Sequence, residues 1–213
     1  MDFISPSIQK YAEDHTSPES DLLKKINRET HAKVLMPRML SGHMQGRILS
    51  MISNMVKPMT ILEIGTYTGY SAICLAEGLR SGGKLITIDI NEELEHSIQK
   101  FFNTSGFGSV IEYRIGNALE IIPTLNGNFD LIFIDADKEN YSQYYDLVIK
   151  RVPLGGYILA DNVLWSGKVL DEKPDRDTQA IKEFNRKIQN DTRVENVLLP
   201  VRDGIMVMRK INE

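Results

Sequence analysis

The sequence has a single cysteine, Cys74, which excludes any internal disulfide. It stands in the apolar stretch 71–76, where a small buried core residue is the expected role and a reducing compartment fits. Long apolar runs are missing as well. No stretch approaches the roughly eighteen residues a membrane helix needs, and residues 1–10 lack a charged start followed by an apolar segment. The expected location is therefore cytoplasmic, with no membrane partner. No run of Lys or Arg stands out and the formal charge is -4, so the chain as a whole has no attraction for a phosphate backbone. Nucleic acid is a disfavoured partner, with only a local basic patch left open. Internal repeats and low-complexity segments are also absent.

What is present is ordinary in amount. Hydrophobic residues make up 42% and charged residues 25% of 213 positions, which places the chain among globular proteins able to bury one core. A single domain over 1–213 is expected, with a helical N-terminal cap over 1–55 and a core over 56–213. Within the cap, Ser20-Asp21 can start a helix running to Lys33, Pro37 marks a break, and 44–56 carries apolar residues at helical spacing.

From Thr60 the period changes. Short β-rich runs at 61–64, 85–89, 111–114, 131–135 and 157–161 alternate with helical stretches at 71–80, 92–102, 118–122 and 140–150. Alternation of this kind implies a mostly parallel, doubly wound α/β sheet with ligands at the carboxyl ends of its strands. A polar loop at 166–178 and a helix at 179–189 follow. Two last apolar runs, 194–199 and 205–209, flank Pro200-Val201-Arg202-Asp203-Gly204, whose Asp-Gly step signals an antiparallel C-terminal hairpin. Seven strands are expected in all.

The first strand leads into Gly65-Thr66-Tyr67-Thr68-Gly69, a turn that lets backbone approach a ligand closely. A dinucleotide fingerprint needs a second glycine two residues after Gly65, and Tyr67 stands there instead, so a pyrophosphate is disfavoured. Asp89, at the end of the second strand, is placed to grip ribose hydroxyls or to cap the helix at 91–92. A ribose-bearing cofactor without pyrophosphate fits both facts, and S-adenosylmethionine is the expected one. Gly116-Asn117-Ala118 would then wall its adenine, although the same triplet is also an ordinary turn.

The fourth strand ends in Asp135-Ala136-Asp137-Lys138 and the fifth in Asp161-Asn162. Three carboxylates and a carboxamide on neighbouring strand tips need a cation, and oxygen ligands without Cys or His point to Mg²⁺, Mn²⁺ or Ca²⁺, with Mg²⁺ first. Any one of these Asp residues alone would be plain turn chemistry, and Lys138 alone a surface lysine. Within the cluster, Lys138 is the candidate base for an acceptor hydroxyl chelated to the ion.

These residues resemble the cation-dependent O-methyltransferase family that includes the caffeoyl-CoA and catechol O-methyltransferases. The likeness spans about 28–210 and is most specific in 62–71, 133–138 and 161–167. It implies a Rossmann-like class I methyltransferase fold with extra N-terminal helices. It also implies that Asp135, Asp161 and Asn162 hold the cation and that Lys138 and Asp135 are catalytic. Asp89 would bind the cofactor ribose, and Ser41, Glu63, Gly65, Thr66, Ser71, Ala118 and Asp135 match other cofactor contacts. The loop 165–178 resembles the family's substrate-specificity insertion. Arg202 stands where the family usually has a small residue, and Trp165 could stack on an aromatic acceptor or serve in the core or as a lid hinge. Homodimers are common in the family.

The expected activity is methyl transfer to one hydroxyl of a small aromatic diol. Two alternatives stand beside it. One is methylation of a hydroxylated uridine in transfer RNA, for which Lys168, Lys173, Arg176 and Arg202 are the only obvious basic collar. The other is a catalytically silent binding module, against which the intact Asp135, Lys138, Asp161 and Asn162 argue.

Overall fold

Alternate side chains of the central strands serve two different hydrophobic clusters, one on each face of a single sheet. In β1 (Thr60–Ile64), Leu62 and Ile64 join one cluster and Ile61 joins the other. The same alternation runs through β2 (Lys84–Asp89), β4 (Leu131–Ile134) and β5 (Tyr157–Ala160). Such near-continuous apolar runs are what a parallel sheet covered on both faces requires. The structure, a computed structural model, describes residues 4–213. The first three residues of the expected helical cap lie outside the described residues.

With β3 (Ile111–Ile115), β6 (Val194–Leu199) and β7 (Ile205–Lys210), the sheet has seven strands in the order β3-β2-β1-β4-β5-β7-β6. The pairs from β3 to β5 are parallel, whereas β7 lies antiparallel to both β5 and β6. The expected C-terminal hairpin is therefore present. Strand order reverses between β1 and β4, and the crevice beyond that point is where open α/β sheets bind ligands.

The cap consists of α1 (Pro6–Asp14), α2 (Asp21–Lys33) and α3 (Gly42–Val56). Ser20 caps α2 by accepting from the Leu23 amide, and the helix buries Leu23, Ile26 and Thr30. No residue of α1 is buried. Among the described residues, no helix is long and apolar enough to cross a membrane.

The crossover helices are α4 (Tyr70–Ala76), α5 (Glu95–Thr104), α6 (Ala118–Ile121) and α7 (Tyr141–Val148), with α8 (Arg176–Gln189) before the hairpin. Several boundaries differ from expectation; the stretch expected as helix from Glu92 opens with a 3-10 turn, Glu92–Leu94, before α5. The helix expected over 71–80 stops at Ala76, because the chain tightens into Gly78→Leu75 and Leu79→Ala76 amide bonds and Arg80 then donates to Pro58. The helix expected from Gln179 begins at Arg176, because Asp175 caps it by accepting from the Thr178 amide at 2.8 Å. The expected loop is accordingly shorter, and its first part, Trp165–Leu170, winds into 3-10 turns.

Candidate active site

The carboxyl ends of β1, β2, β4 and β5 open into one cavity of about 1580 Å³. Its lining includes Ser41, Gly65, Asp89, Ala118, Asp135, Lys138, Asp161 and Asn162, so eight of the sequence-derived candidates meet around a single space. Ser71 and Thr66 line a small cleft beside it, and Glu63 lies buried behind both.

Only glycine can stand at 65. Its φ is +103°, and a Cβ there would lie 2.0 Å from the Asp135 carbonyl oxygen, so the exits of β1 and β4 touch backbone to backbone. The turn that follows is pinned by Asp89. One of its carboxylate oxygens accepts from the Tyr67 amide at 2.6 Å and the other from the Asn91 amide at 2.9 Å. Asp89 thus organises its own loop while still lining the cavity, and the cap of the turn at 92–94 is Asn91, which accepts from the Glu93 amide, rather than Asp89. Ala118 opens α6 behind Asn117, whose side chain accepts from the Leu119 amide.

Glu63 is fully buried and sits directly opposite Thr87 in the parallel β1–β2 register. The Thr87 hydroxyl donates to Glu63 Oε2 at 2.5 Å, and the Thr66 and Thr87 hydroxyls lie 2.5 Å apart. Glu63 Oε1 has no hydrogen-bond partner. Burial pushes this carboxyl up to about 8, against the opposing pull of its hydrogen bonds, so at neutral pH it carries its proton.

All three carboxylates of the acidic tips line the cavity, but their partners differ. Asp137 is exposed and turned into the start of α7, where it accepts from the Tyr144 hydroxyl at 2.5 Å and from the Asn140 amide. Both of its oxygens are engaged in this way, which leaves Asp135 and Asp161 as the carboxylates that could hold a cation. Among the described residues no three His, Cys, Asp or Glu side chains form a metal cluster, and the residues that could hold a cation are Asp135, Asp161 and, through its carboxamide, Asn162.

That set fits a hard divalent cation. Asp161 is 3% exposed, its Oδ1 has no hydrogen-bond partner, and burial together with the Asp135 charge pushes its carboxyl up to about 7. A buried carboxylate with a free oxygen beside a second carboxylate is relieved by such an ion. Asn162 follows in the left-handed region at φ 58°, a conformation asparagine tolerates.

Lys138 is buried beside these tips. Its Nζ donates to Tyr141 OH at 2.6 Å and to Asp135 Oδ1 at 3.2 Å, and the Tyr141 hydroxyl in turn donates to the Asp161 carbonyl at 3.1 Å. The same Nζ lies 5.8 Å from the Trp165 ring centroid. Trp165 lines the cavity with φ 47° and a buried Nε1 that has no partner.

Three residues of this site escaped the sequence reading. Tyr141 lies one turn beyond Lys138, and Thr87 lies opposite Glu63. Gln45, four residues after Ser41 on the same helical face, donates to Asp161 Oδ2 at 2.6 Å. The available signal for Gln45 and Thr87 was a polar side chain at a position whose period places it in the core.

A family model described as O-methyltransferase matches residues 13–211. Caffeoyl-CoA O-methyltransferase from Petroselinum crispum is 33% identical over 207 residues, covering 91% of this chain and 86% of the plant protein. Among solved structures, an O-methyltransferase from Bacillus cereus in complex with S-adenosylhomocysteine is 31% identical with a TM-score of 0.88, covering 96% of this chain and 97% of its own. The O-methyltransferase TomG from Streptomyces achromogenes, involved in tomaymycin synthesis and in complex with S-adenosylmethionine, is 27% identical with a TM-score of 0.90, covering 97% and 96%. The chain belongs to the cation-dependent O-methyltransferase family of the caffeoyl-CoA type and is an S-adenosylmethionine-dependent O-methyltransferase.

Proposed function

We propose that the enzyme methylates one hydroxyl of a small vicinal dihydroxyphenyl acceptor, with a divalent cation, Mg²⁺ first, held by Asp135, Asp161 and Asn162. The observation that carries this reading is the free, buried Asp161 Oδ1 in the same cavity as Lys138 Nζ. Cofactor contacts are assigned to Ser41, Glu63, Gly65, Thr66, Ser71, Asp89, Ala118 and Asp135.

When bound, S-adenosylmethionine supplies an electrophilic methyl on a sulfonium, and the cation supplies acidification and a fixed geometry for two adjacent hydroxyls. The chain's own part is positional. Lys138 Nζ, anchored by Tyr141 and Asp135, is the group assigned to accept the hydroxyl proton. An acceptor oxygen relieved of its proton at Lys138 would be the nucleophile toward that methyl, and the part of the cavity walls would be to orient it, which supplies much of the rate. Trp165 walls the acceptor side, because its half-buried indole lines the cavity near Lys138.

A homodimer and a cytoplasmic location belong to the same reading. Met51 and Met55, four apart on α3, are 63% and 77% exposed, and an apolar pair of that kind is suited to cover by a second copy.

The test is an assay of purified enzyme with S-adenosylmethionine and a dihydroxyphenyl acceptor, read by mass spectrometry. Mono-O-methylated product is expected with Mg²⁺ and none in excess chelator, with activity restored on adding the metal back. Unchanged turnover in chelator overturns the reading.

A further inference from the structure

Gln45 is 1% exposed, a carboxamide placed where α3 packs against the core. Both ends of its amide are used. Nε2 donates to Asp161 Oδ2 at 2.6 Å, and Oε1 accepts from Arg202 Nη1 at 2.8 Å. Arginine has donors only, so the carbonyl end must face Arg202, which leaves the NH₂ end for the carboxylate. Arg202 therefore decides which way the amide points. It also donates to the Leu40 carbonyl through Nη1 and Nη2, each at 3.3 Å.

These bonds join parts of the chain that are remote in sequence: the cap at 40–45, the tip of β5 and the turn of the β6–β7 hairpin. The hairpin turn itself is built around this arginine. Its φ is 51°, in the left-handed region, where a side chain is strained and a glycine would not be. The side chain carried on this strained backbone reaches Gln45.

We propose that Gln45 is the positioning residue for Asp161 and that Arg202 orients Gln45. By engaging Oδ2, Gln45 leaves Oδ1 as the free oxygen of that carboxylate, which makes Asp161 a one-oxygen ligand of fixed orientation. Because Gln45 lies one helical turn from Ser41, the same bond ties the cofactor-side segment of the cap to the cation side of the cavity. The inference rests on the cation reading of Asp161. Outer partners that orient a metal-ligating carboxylate typically govern metal affinity by about 10–100-fold.

The experiment titrates Mn²⁺ into the full-length protein saturated with S-adenosylhomocysteine and reads free ion by electron paramagnetic resonance. Gln45→Met keeps the volume and removes both hydrogen bonds. It is expected to weaken Mn²⁺ binding by about tenfold or more. Its affinity for S-adenosylhomocysteine without metal should stay within about twofold, because coupling in this variant runs to the ion. Turnover lost at limiting Mn²⁺ should return at saturating Mn²⁺, which a merely structural defect would not permit. Arg202→Gly, at an exposed position, should give a smaller loss, and the double variant should match Gln45→Met alone.

Mn²⁺ affinity within twofold of wild type in Gln45→Met overturns the inference, as does an equal loss of cofactor-product affinity. Should Gln45→Met fail to fold, Arg202→Gly decides, and unchanged Mn²⁺ affinity there overturns it. If wild type binds no Mn²⁺, the cation reading itself is removed and this inference with it.

Discussion

Lys138 is held at two points, by Tyr141 OH and by Asp135, so its Nζ is directed rather than free to sample solvent. Removing the amine should act on the chemical step alone. Lys138→Ala is expected to lower kcat by about 10²–10⁴-fold, the usual worth of a positioned base, with little change in S-adenosylhomocysteine affinity by calorimetry. Equal losses in both would assign the base elsewhere. Glu63 makes a different kind of prediction. Its carboxyl stays protonated up to about 8 in the folded, ligand-free protein, whereas a free glutamate titrates near 4.5. Between those values the unfolded chain has lost the proton and the folded chain keeps it, so stability falls as pH rises, by about 1.4 kcal/mol per pH unit for one proton. Below that window and above it, Glu63 contributes no slope. Thermal melts of the ligand-free enzyme from pH 5 to 8 should therefore show a falling midpoint. Glu63→Gln should flatten the curve by one proton's worth while leaving the Asp161 contribution below about 7. A wild-type midpoint that rises over this range contradicts the protonated carboxyl.

At the scale of elements, the meeting of β1 and β4 places the site, and the close approach at Gly65 makes that meeting possible. Gly65→Ala would drive a methyl into the Asp135 carbonyl in a left-handed backbone, while Gly82→Ala, at φ +78°, meets nothing within 4 Å. Chemical denaturation should give a loss of about 1–2 kcal/mol for Gly82→Ala and at least twice that for Gly65→Ala, which adds overpacking to the same backbone strain. Equal losses would mean that the β1 and β4 exits do not touch. Legibility in the sequence follows the same physics. The strands were readable because each is an apolar run that must be covered on both faces, and the strand-tip candidates were readable because loop chemistry after a parallel strand has one place to go. The end of α4 and the start of α8 were less readable, since a tightened last turn and an Asp cap are local choices that periodicity does not record. Asp137 shows the same limit: spacing puts it beside Asp135, but periodicity does not record that its side chain accepts from Tyr144 and Asn140. Gln45 and Arg202 could not be paired from sequence at all, because the bond joins residues 157 positions apart.

Across the whole molecule, the cavity is walled by both parts of the chain. The cap supplies Leu40, Ser41, Met44 and Gln45, and the sheet supplies the strand tips, so a ligand seated there touches both. Binding to the folded state alone stabilises it by mass action, by about 2.7 kcal/mol when the ligand is at a hundred times its dissociation constant. For a chain of this size each kcal/mol moves the midpoint by roughly 2–4 °C, so S-adenosylhomocysteine at that concentration should raise the melting temperature by roughly 5–11 °C. If cap and core form one cooperative domain, the rise applies to one calorimetric transition in which both melt together. A cap that melts separately, before a core whose midpoint alone responds to ligand, would show that the walls of this cavity belong to two units, and that the reach of Gln45 across it does not hold them together.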